Sequence, residues 1–199
     1  MSKFIIIEGT DNTGKDTQQN LIIKNLKDTV FHKIHYSSLP FKDDIEMHTS
    51  YSKKMYEDMF KMMVLCKDQD INIIFNRSHL GESIYSPLYR GYSGDYVFDI
   101  EKGFVNTLRE NLYLITLTND PHTIWSRDDG KSFYKNEEGI KAEVDGFQRA
   151  HRLSKIKNKL LLNVGTMGAD EVSKIIIEFL SHENTITGDP KQLSMFSHE

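Results

Sequence analysis

The stretch Phe4-Ile5-Ile6-Ile7-Glu8-Gly9-Thr10-Asp11-Asn12-Thr13-Gly14-Lys15-Asp16-Thr17 decides the fold. Phe4 to Ile7 is an unbroken β-branched and aromatic run, the pattern of a strand buried on both faces rather than a half-exposed, alternating one. It ends at Glu8-Gly9. Four residues separate Gly9 from Gly14-Lys15, and from Gln18 to Lys27 Leu21, Ile22 and Leu26 share one face, spacing that suits a helix on a sheet. A glycine, four residues and Gly-Lys between a buried strand and a helix is the context a phosphate-binding loop requires. Glycines let the backbone curl so that successive N–H groups point inward, and the helix start adds partial positive charge. Lys15 then reaches the β- and γ-phosphates of a bound nucleotide, and Gly9, Asn12, Thr13, Gly14, Asp16 and Thr17 complete the cradle. Where this pattern normally carries a Ser or Thr hydroxyl for Mg²⁺, the sequence has Asp16, followed by Thr17. Either Asp16 binds the metal as a hard anionic ligand or Thr17 supplies the hydroxyl, and the place of Asp16 at the helix start beside the phosphates favours the carboxylate.

Outward from this stretch, strands and helices alternate. Further strands are expected at Val30–Tyr36, Ile71–Phe75, Leu112–Leu117 and Lys159–Val164, the first closed by Ser37-Ser38-Leu39-Pro40 because proline cannot donate to a ladder. Helical spacing covers 44–66, with Met55, Met59, Met62 and Met63 as a stripe expected in the core, and recurs at 98–108, 140–156 and 171–180; Ser78 to Tyr89 reads as helical or irregular. Asn119-Asp120-Pro121 ends the fourth strand, and RDDGKSFYKNEEG, residues 127–139, is a polar loop. The order predicts one α/β domain over 1–181, a three-layer arrangement with a parallel five-stranded sheet covered on both faces, followed by a loose tail over 182–199.

Composition bounds the function. The chain has 199 residues, with 25 Lys+Arg against 29 Asp+Glu for a net charge of −4, a balance that argues against a nucleic-acid coat. No apolar run approaches the ~20 residues needed to span a bilayer. The start MSKFIIIEG is too short for a signal-peptide core, and Cys66, being single, cannot form an internal disulfide, so a cytoplasmic protein is expected. Only three alanines occur among abundant Ile, Lys and Asn, which suits AT-rich coding and would suit a viral or low-GC bacterial origin, with a host cytoplasm in the viral case.

The sequence resembles the thymidylate kinase family, the nucleoside-monophosphate kinases of the P-loop NTPase fold. The resemblance rests on FIIIEG, on the loop G-x-D-x-x-G-K, on Asp16-Thr17-Gln18 where the family has Ser/Thr-Thr-Gln, and on NRSHLGESIY after the third strand where the family has an Asp-Arg motif. It covers about residues 3–181. The resemblance implies ATP as phosphoryl donor, Mg²⁺ as cofactor, a small deoxynucleotide acceptor with dTMP as first choice, and a homodimer. Asp11 then holds the acceptor sugar, against a bland alternative as a turn former; Arg77 grips the acceptor phosphate, against one as a surface ion pair. Arg127 opens the loop where such kinases carry a lid, with Lys131 and Lys135 beside it. Lys15, Arg77 and Arg127 are thus the expected catalytic cations. Phe41, Tyr85 and Arg90, with Tyr89, are candidates for the acceptor pocket, and by spacing alone they serve equally as core and rim. His79, beside Arg77, reads as a hydrogen-bonding scaffold. The family's acid is Asn76 here, and with Asp16 this suggests that one carboxylate has moved from the strand end to the phosphate loop. A kinase of a nucleoside or nucleic-acid hydroxyl, or a non-catalytic ATP-binding switch, stands as the alternative.

Overall fold

The computed structural model describes residues 2–26, 30–36, 44–128, 130 and 132–181. Phe41, Lys131, the 37–40 strand closure and the 182–199 tail lie outside the described residues. Five parallel strands form one sheet in the order β2-β3-β1-β4-β5: β1 (Phe4–Gly9), β2 (Phe31–His35), β3 (Asn72–Asn76), β4 (Leu112–Thr118) and β5 (Asn158–Asn163). The unbroken apolar run makes β1 the central strand, every residue of it buried. Its alternation sorts the two cores. Phe4 and Ile6 join Met59, Phe60 and Met63 of α2 (Ile45–Cys66), Leu80 and Ile84 of α3 (Leu80–Tyr89), and Phe147 and Ala150 of α6 (Glu137–Leu153) on one face. Ile5 and Ile7 join Ile22 of α1 (Lys15–Asn25) and Val172, Ile176 and Leu180 of α7 (Ala169–Ser181) on the other. The three-layer α/β architecture follows. Of the methionine stripe, Met59 and Met63 are core, while Met55 and Met62 line a cleft of about 460 Å³ between β2 and α2, away from the phosphate loop.

Several elements differ from the sequence expectation. Helix α1 starts at Lys15 rather than Gln18, because Gly14 caps it in the left-handed region (φ 86). The helix α4 (Tyr96–Lys102) replaces the one expected at 98–108; beyond it Gly103, Phe104 and Thr107 donate to carbonyls three residues back, so the chain tightens into turns. A helix not anticipated, α5 (Pro121–Ser126), follows β4: Asp120 accepts from the N–H groups of His122 and Thr123, and Pro121 needs no partner at the first position. The polar loop is shorter than 127–139, since Asn136 accepts from Gly139 N–H and starts α6 at Glu137. At the other end α6 stops at Leu153, where Ser154 turns extended and gives its hydroxyl to Glu101 (2.8 Å).

One buried polar tie binds α3, α4 and the α6 end. His79 Nε2 lies 2.9 Å from Glu101 Oε2, its Nδ1 2.8 Å from Ser78 Oγ, and both side chains of the pair are fully buried. Burial pushes the Glu101 carboxyl up, but His79, the Lys155 N–H and Ser154 outweigh it and hold the group below the usual carboxylate range.

Candidate functional site

The loop after β1 leads to α1 on one face of the sheet, and the loop after β3 leads to α3 on the other. Between them the carboxyl ends of neighbouring strands leave a crevice, the general place for ligands in open α/β sheets. This brings Gly9–Thr17 together with Asn76-Arg77.

The loop is shaped by three backbone conditions. Gly9 has φ 140, and a Cβ there would stand 2.1 Å from the Leu117 carbonyl oxygen of β4, so no side chain fits. Asn12 (φ 62) and Gly14 (φ 86) both lie in the left-handed region, which turns the N–H groups around one centre. Thr13 is buried and ties the loop to itself by donating to the Thr10 carbonyl (2.8 Å). Lys15 folds back over the loop, buried, donating to the same carbonyl (2.5 Å) and standing 3.9 Å from Asp11 Oδ1. Burial pushes its ammonium down to about 8 although Asp11 pulls the other way.

Arg77 is in the left-handed region (φ 67), a costly backbone for a residue with a Cβ and a frequent mark of a functional position. Its N–H bonds the Ile7 carbonyl, and its Nη2 donates to Asp11 Oδ1 at 2.7 Å. Asp11, Lys15 and Arg77 therefore form one cluster. Asp16 is exposed, and Asn76 Nδ2 donates to its Oδ1 at 2.6 Å. Thr17 is exposed on the same helix start.

A narrow cleft of about 60 Å³ runs from this cluster along α3, walled by Glu8, Gly9, Arg77, Glu82, Arg90 and the rings of Tyr36, Tyr56, Tyr85, Phe133 and Phe147. Tyr85 and Arg90, read from the sequence as pocket candidates, both line it. Arg127 is not brought in: it caps α5, exposed, and its side chain has no hydrogen bond or ion pair among the described residues. The 127–136 loop meets the site through other residues. Asn12 Nδ2 donates to the Tyr134 hydroxyl (2.9 Å), Ser132 Oγ donates to Asp128, and Phe133 stacks on Tyr89 and lies against Tyr85.

Sequence reasoning missed two acids here. Glu8, near the end of the apolar β1 strand, is buried, with Oε1 unpartnered among the described residues; burial raises its carboxyl against the pull of His79 and Lys15. A charge inside a fully buried strand was a signal in itself. Glu143, on α6, accepts from the Tyr89 hydroxyl (2.6 Å) and is pushed up to about 7 by burial. Nothing in its local sequence distinguishes it from the exposed acids around it.

Among solved structures, the YorR protein of Bacillus subtilis in complex with phosphorylated GDP shares the fold with a TM-score of 0.65, at 19% identity over 89% of this chain and 95% of that one. Thymidylate kinase from Candida albicans matches with a TM-score of 0.60, at 15% identity over 90% of this chain and 91% of the other. No protein-family profile and no curated protein sequence matches the chain. The chain has the thymidylate kinase-like P-loop fold.

Proposed function

We propose that the protein is an ATP-dependent kinase of a deoxynucleoside monophosphate, with dTMP as the first-choice acceptor. The observation that carries this is the joining, in one crevice, of a buried loop lysine with an arginine held at 2.7 Å by the loop aspartate. The triphosphate of ATP lies along Gly9, Asn12, Thr13, Gly14 and Thr17, and Lys15 neutralises charge on its outer phosphates. Arg77 leaves or shares Asp11 to take the acceptor phosphate in a fork, and Asp11 turns to the acceptor sugar. Tyr85 and Arg90 flank the acceptor; Phe41, the other sequence candidate for this pocket, lies outside the described residues. Transfer to a phosphate oxygen needs positioning and charge neutralisation rather than a base. Arg127 joins by closure of the 127–136 loop, whose Phe133 must also swing aside, because about 60 Å³ holds a few ordered waters and not a nucleotide.

The donor set fits a hard cation. Asn76 Oδ1 is buried, without a partner among the described residues, beside the Asp16 carboxylate, and an amide and a carboxylate oxygen are suitable Mg²⁺ ligands. Asp16, with Asn76 or Thr17, would hold the ion, which when bound supplies positive charge to the phosphates. Asp16→Thr is expected to weaken Mg²⁺ binding and activity about 10- to 100-fold, with Asn76→Asp restoring part of both; magnesium titration of the two variants reads this, and a harmless Asp16→Thr refutes the relocated carboxylate.

The direct test offers γ-labelled ATP with a panel of dNMPs, nucleosides and oligonucleotides. Label on a dNMP is expected. Label on nucleosides or oligonucleotides alone, or nucleotide binding with no transfer, rejects the proposal. The small-molecule reading also has a charge argument: a net −4 is compatible with cations gathered only around a phosphate-bearing substrate, whereas a polymer acceptor would want a basic face. A homodimer, as the resemblance implies, and a cytoplasmic location, as the single Cys66 leads one to expect, belong to the same proposal; no described helix is long and apolar enough to cross a membrane.

A further inference from the structure

Two buried acids line the cleft along α3, and they are served unequally. Glu82, in the first turn of α3, is filled from three sides. Tyr92 OH (2.5 Å) and Tyr96 OH (2.9 Å), delivered by the 91–95 turn, donate to its Oε1, and Arg90 Nη1 donates to Oε2 at 3.0 Å. Glu8 is at least as deeply buried, yet its Oε1 has no partner among the described residues. A second orphan stands on the same cleft wall: Arg77 Nε, a buried N–H without an acceptor among the described residues. One of these atoms accepts and the other donates. Buried groups of either kind oppose folding unless they are paired, so the two together mark a hydrogen bond that the protein makes in another arrangement of the site.

The sheet places the two residues side by side. Ile7 of β1 lies opposite Asn76 of β3, so Glu8 and Arg77 are the next residues on neighbouring strands. Alternation sends Glu8 to the α3 side with Phe4 and Ile6, and Arg77 follows Phe75 to that side while Asn76 between them turns to Asp16. Burial pushes the Glu8 carboxyl up, and His79, Lys15 and Arg77 pull the other way. At present Arg77 is drawn toward the phosphate loop, its Nη2 donating to Asp11 Oδ1 at 2.7 Å. While Nη2 serves Asp11, the guanidinium cannot offer both Nη groups to an acceptor phosphate. Once Asp11 lets go, two phosphate oxygens are taken by the two Nη groups in a fork, and the Nε–H needs an acceptor of its own, because a charged donor left unpaired in a closed site opposes binding.

We propose that Arg77 exchanges Asp11 for Glu8 when the acceptor arrives, its Nε donating to Glu8 Oε1 while both Nη groups hold the acceptor phosphate. The proposal rests on the kinase reading above. Glu8 is a positioning residue: it touches no substrate and acts by fixing the plane of the guanidinium. The exchange also favours the loaded state, since a buried carboxylate that stands unpaired in the empty site gains a cationic partner only there. Asp11 is released by the same movement and becomes free to meet the acceptor sugar.

The experiment measures KM for ATP and acceptor kcat/KM, with γ-labelled ATP and dTMP or whichever dNMP the wild type labels best, in the wild type, Glu8→Leu, Glu8→Gln, Arg77→Met and the two double variants. Glu8→Leu is expected to lower acceptor kcat/KM about 10- to 100-fold, the scale of a lost hydrogen bond between charged partners, and to leave KM for ATP within about twofold. Glu8→Gln keeps an acceptor oxygen and is expected to lose only about three- to tenfold. In Arg77→Met, which has no N–H to seat, neither Glu8 change is expected to cost anything further, since the carboxylate there only repels the acceptor phosphate. A carboxylate that merely shapes the loop gives the same loss with and without Arg77 and raises KM for ATP alongside. Either result overturns the assignment, as does full activity in Glu8→Leu. Should Glu8→Leu fail to fold, Glu8→Gln carries the cycle alone: a loss that vanishes in Arg77→Met supports the exchange, and one that persists overturns it. A wild type that labels no dNMP brings down the kinase reading and this proposal with it, whereas the overturning results above, on an active wild type, strike this proposal only.

Discussion

Replacing Lys15 by methionine is expected to lower phosphoryl transfer at least about 10²–10³-fold, the scale of losing one preorganised charge-stabilising donor, while the protein remains folded. The side chain is buried and donates to the loop's own Thr10 carbonyl at 2.5 Å, so its aliphatic stem packs whether or not the charge is present. A pH experiment on the unliganded protein isolates the cost of holding that charge. Burial lowers the ammonium from 10.5 to about 8, so between these values the unfolded chain binds a proton that the folded chain does not. Stability therefore rises with pH across that window, and below pH 8 the buried ammonium destabilises the fold by about 3 kcal/mol. Lys15→Met removes this cost: at pH 7 it should unfold in urea no earlier than the wild type, and the gap should close as the pH rises through 8 to 10.5. A fully active Lys15→Met protein sinks the kinase assignment. A variant that unfolds earlier than the wild type at pH 7 would mean that the ammonium supports the empty loop instead of straining it.

Gly9→Ala is expected to cost about 3 kcal/mol or more in urea unfolding, the upper range for overpacking. Two conditions act together at Gly9: a φ of 140, and a methyl group that would stand 2.1 Å from the Leu117 carbonyl oxygen. That oxygen belongs to the backbone of the neighbouring central strand, which cannot give way without breaking the β1–β4 ladder. Gly14→Ala is the internal comparison. It shares the left-handed backbone (φ 86) but has open space where its Cβ would go, so only the backbone strain of about 1 kcal/mol is expected. Equal losses in the two variants would refute the close approach as the reason for Gly9.

Local patterns identified the phosphate loop because its chemistry is local: glycines, lysine and helix start lie within nine consecutive residues, between a strand and a helix that their own periodicity reveals. Helix α5 shows a signal that was present and passed over, since Asp120-Pro121 is an N-cap followed by a first-position proline as much as a strand end. The shortened 98–108 helix carried no such signal. Its end is set by Glu101, which is drawn into the buried tie with His79, Ser154 and the Lys155 N–H, partners 22 to 54 residues away. The polar wall of the cleft was hidden for the same reason. Arg90 stood out as a pocket candidate, yet Glu82, Tyr92 and Tyr96 read as an ordinary acid and two ordinary aromatics until the 91–95 turn folded them onto α3.

The sequence by itself determined the class of the fold and the position of the phosphate loop, because hydrophobic period and turn chemistry act over a few residues and need no distant partner. The tertiary fold settled which polar and charged side chains meet: Asp11 with Arg77 across 66 residues, Asp16 with Asn76 across 60, and Arg90 with Glu82 over two turns of helix. Such pairs form where a crossover sends one loop to each face of the sheet and opens a crevice between strand ends. How strongly each pair holds depends on how far water is kept from it there, which no local pattern of residues records.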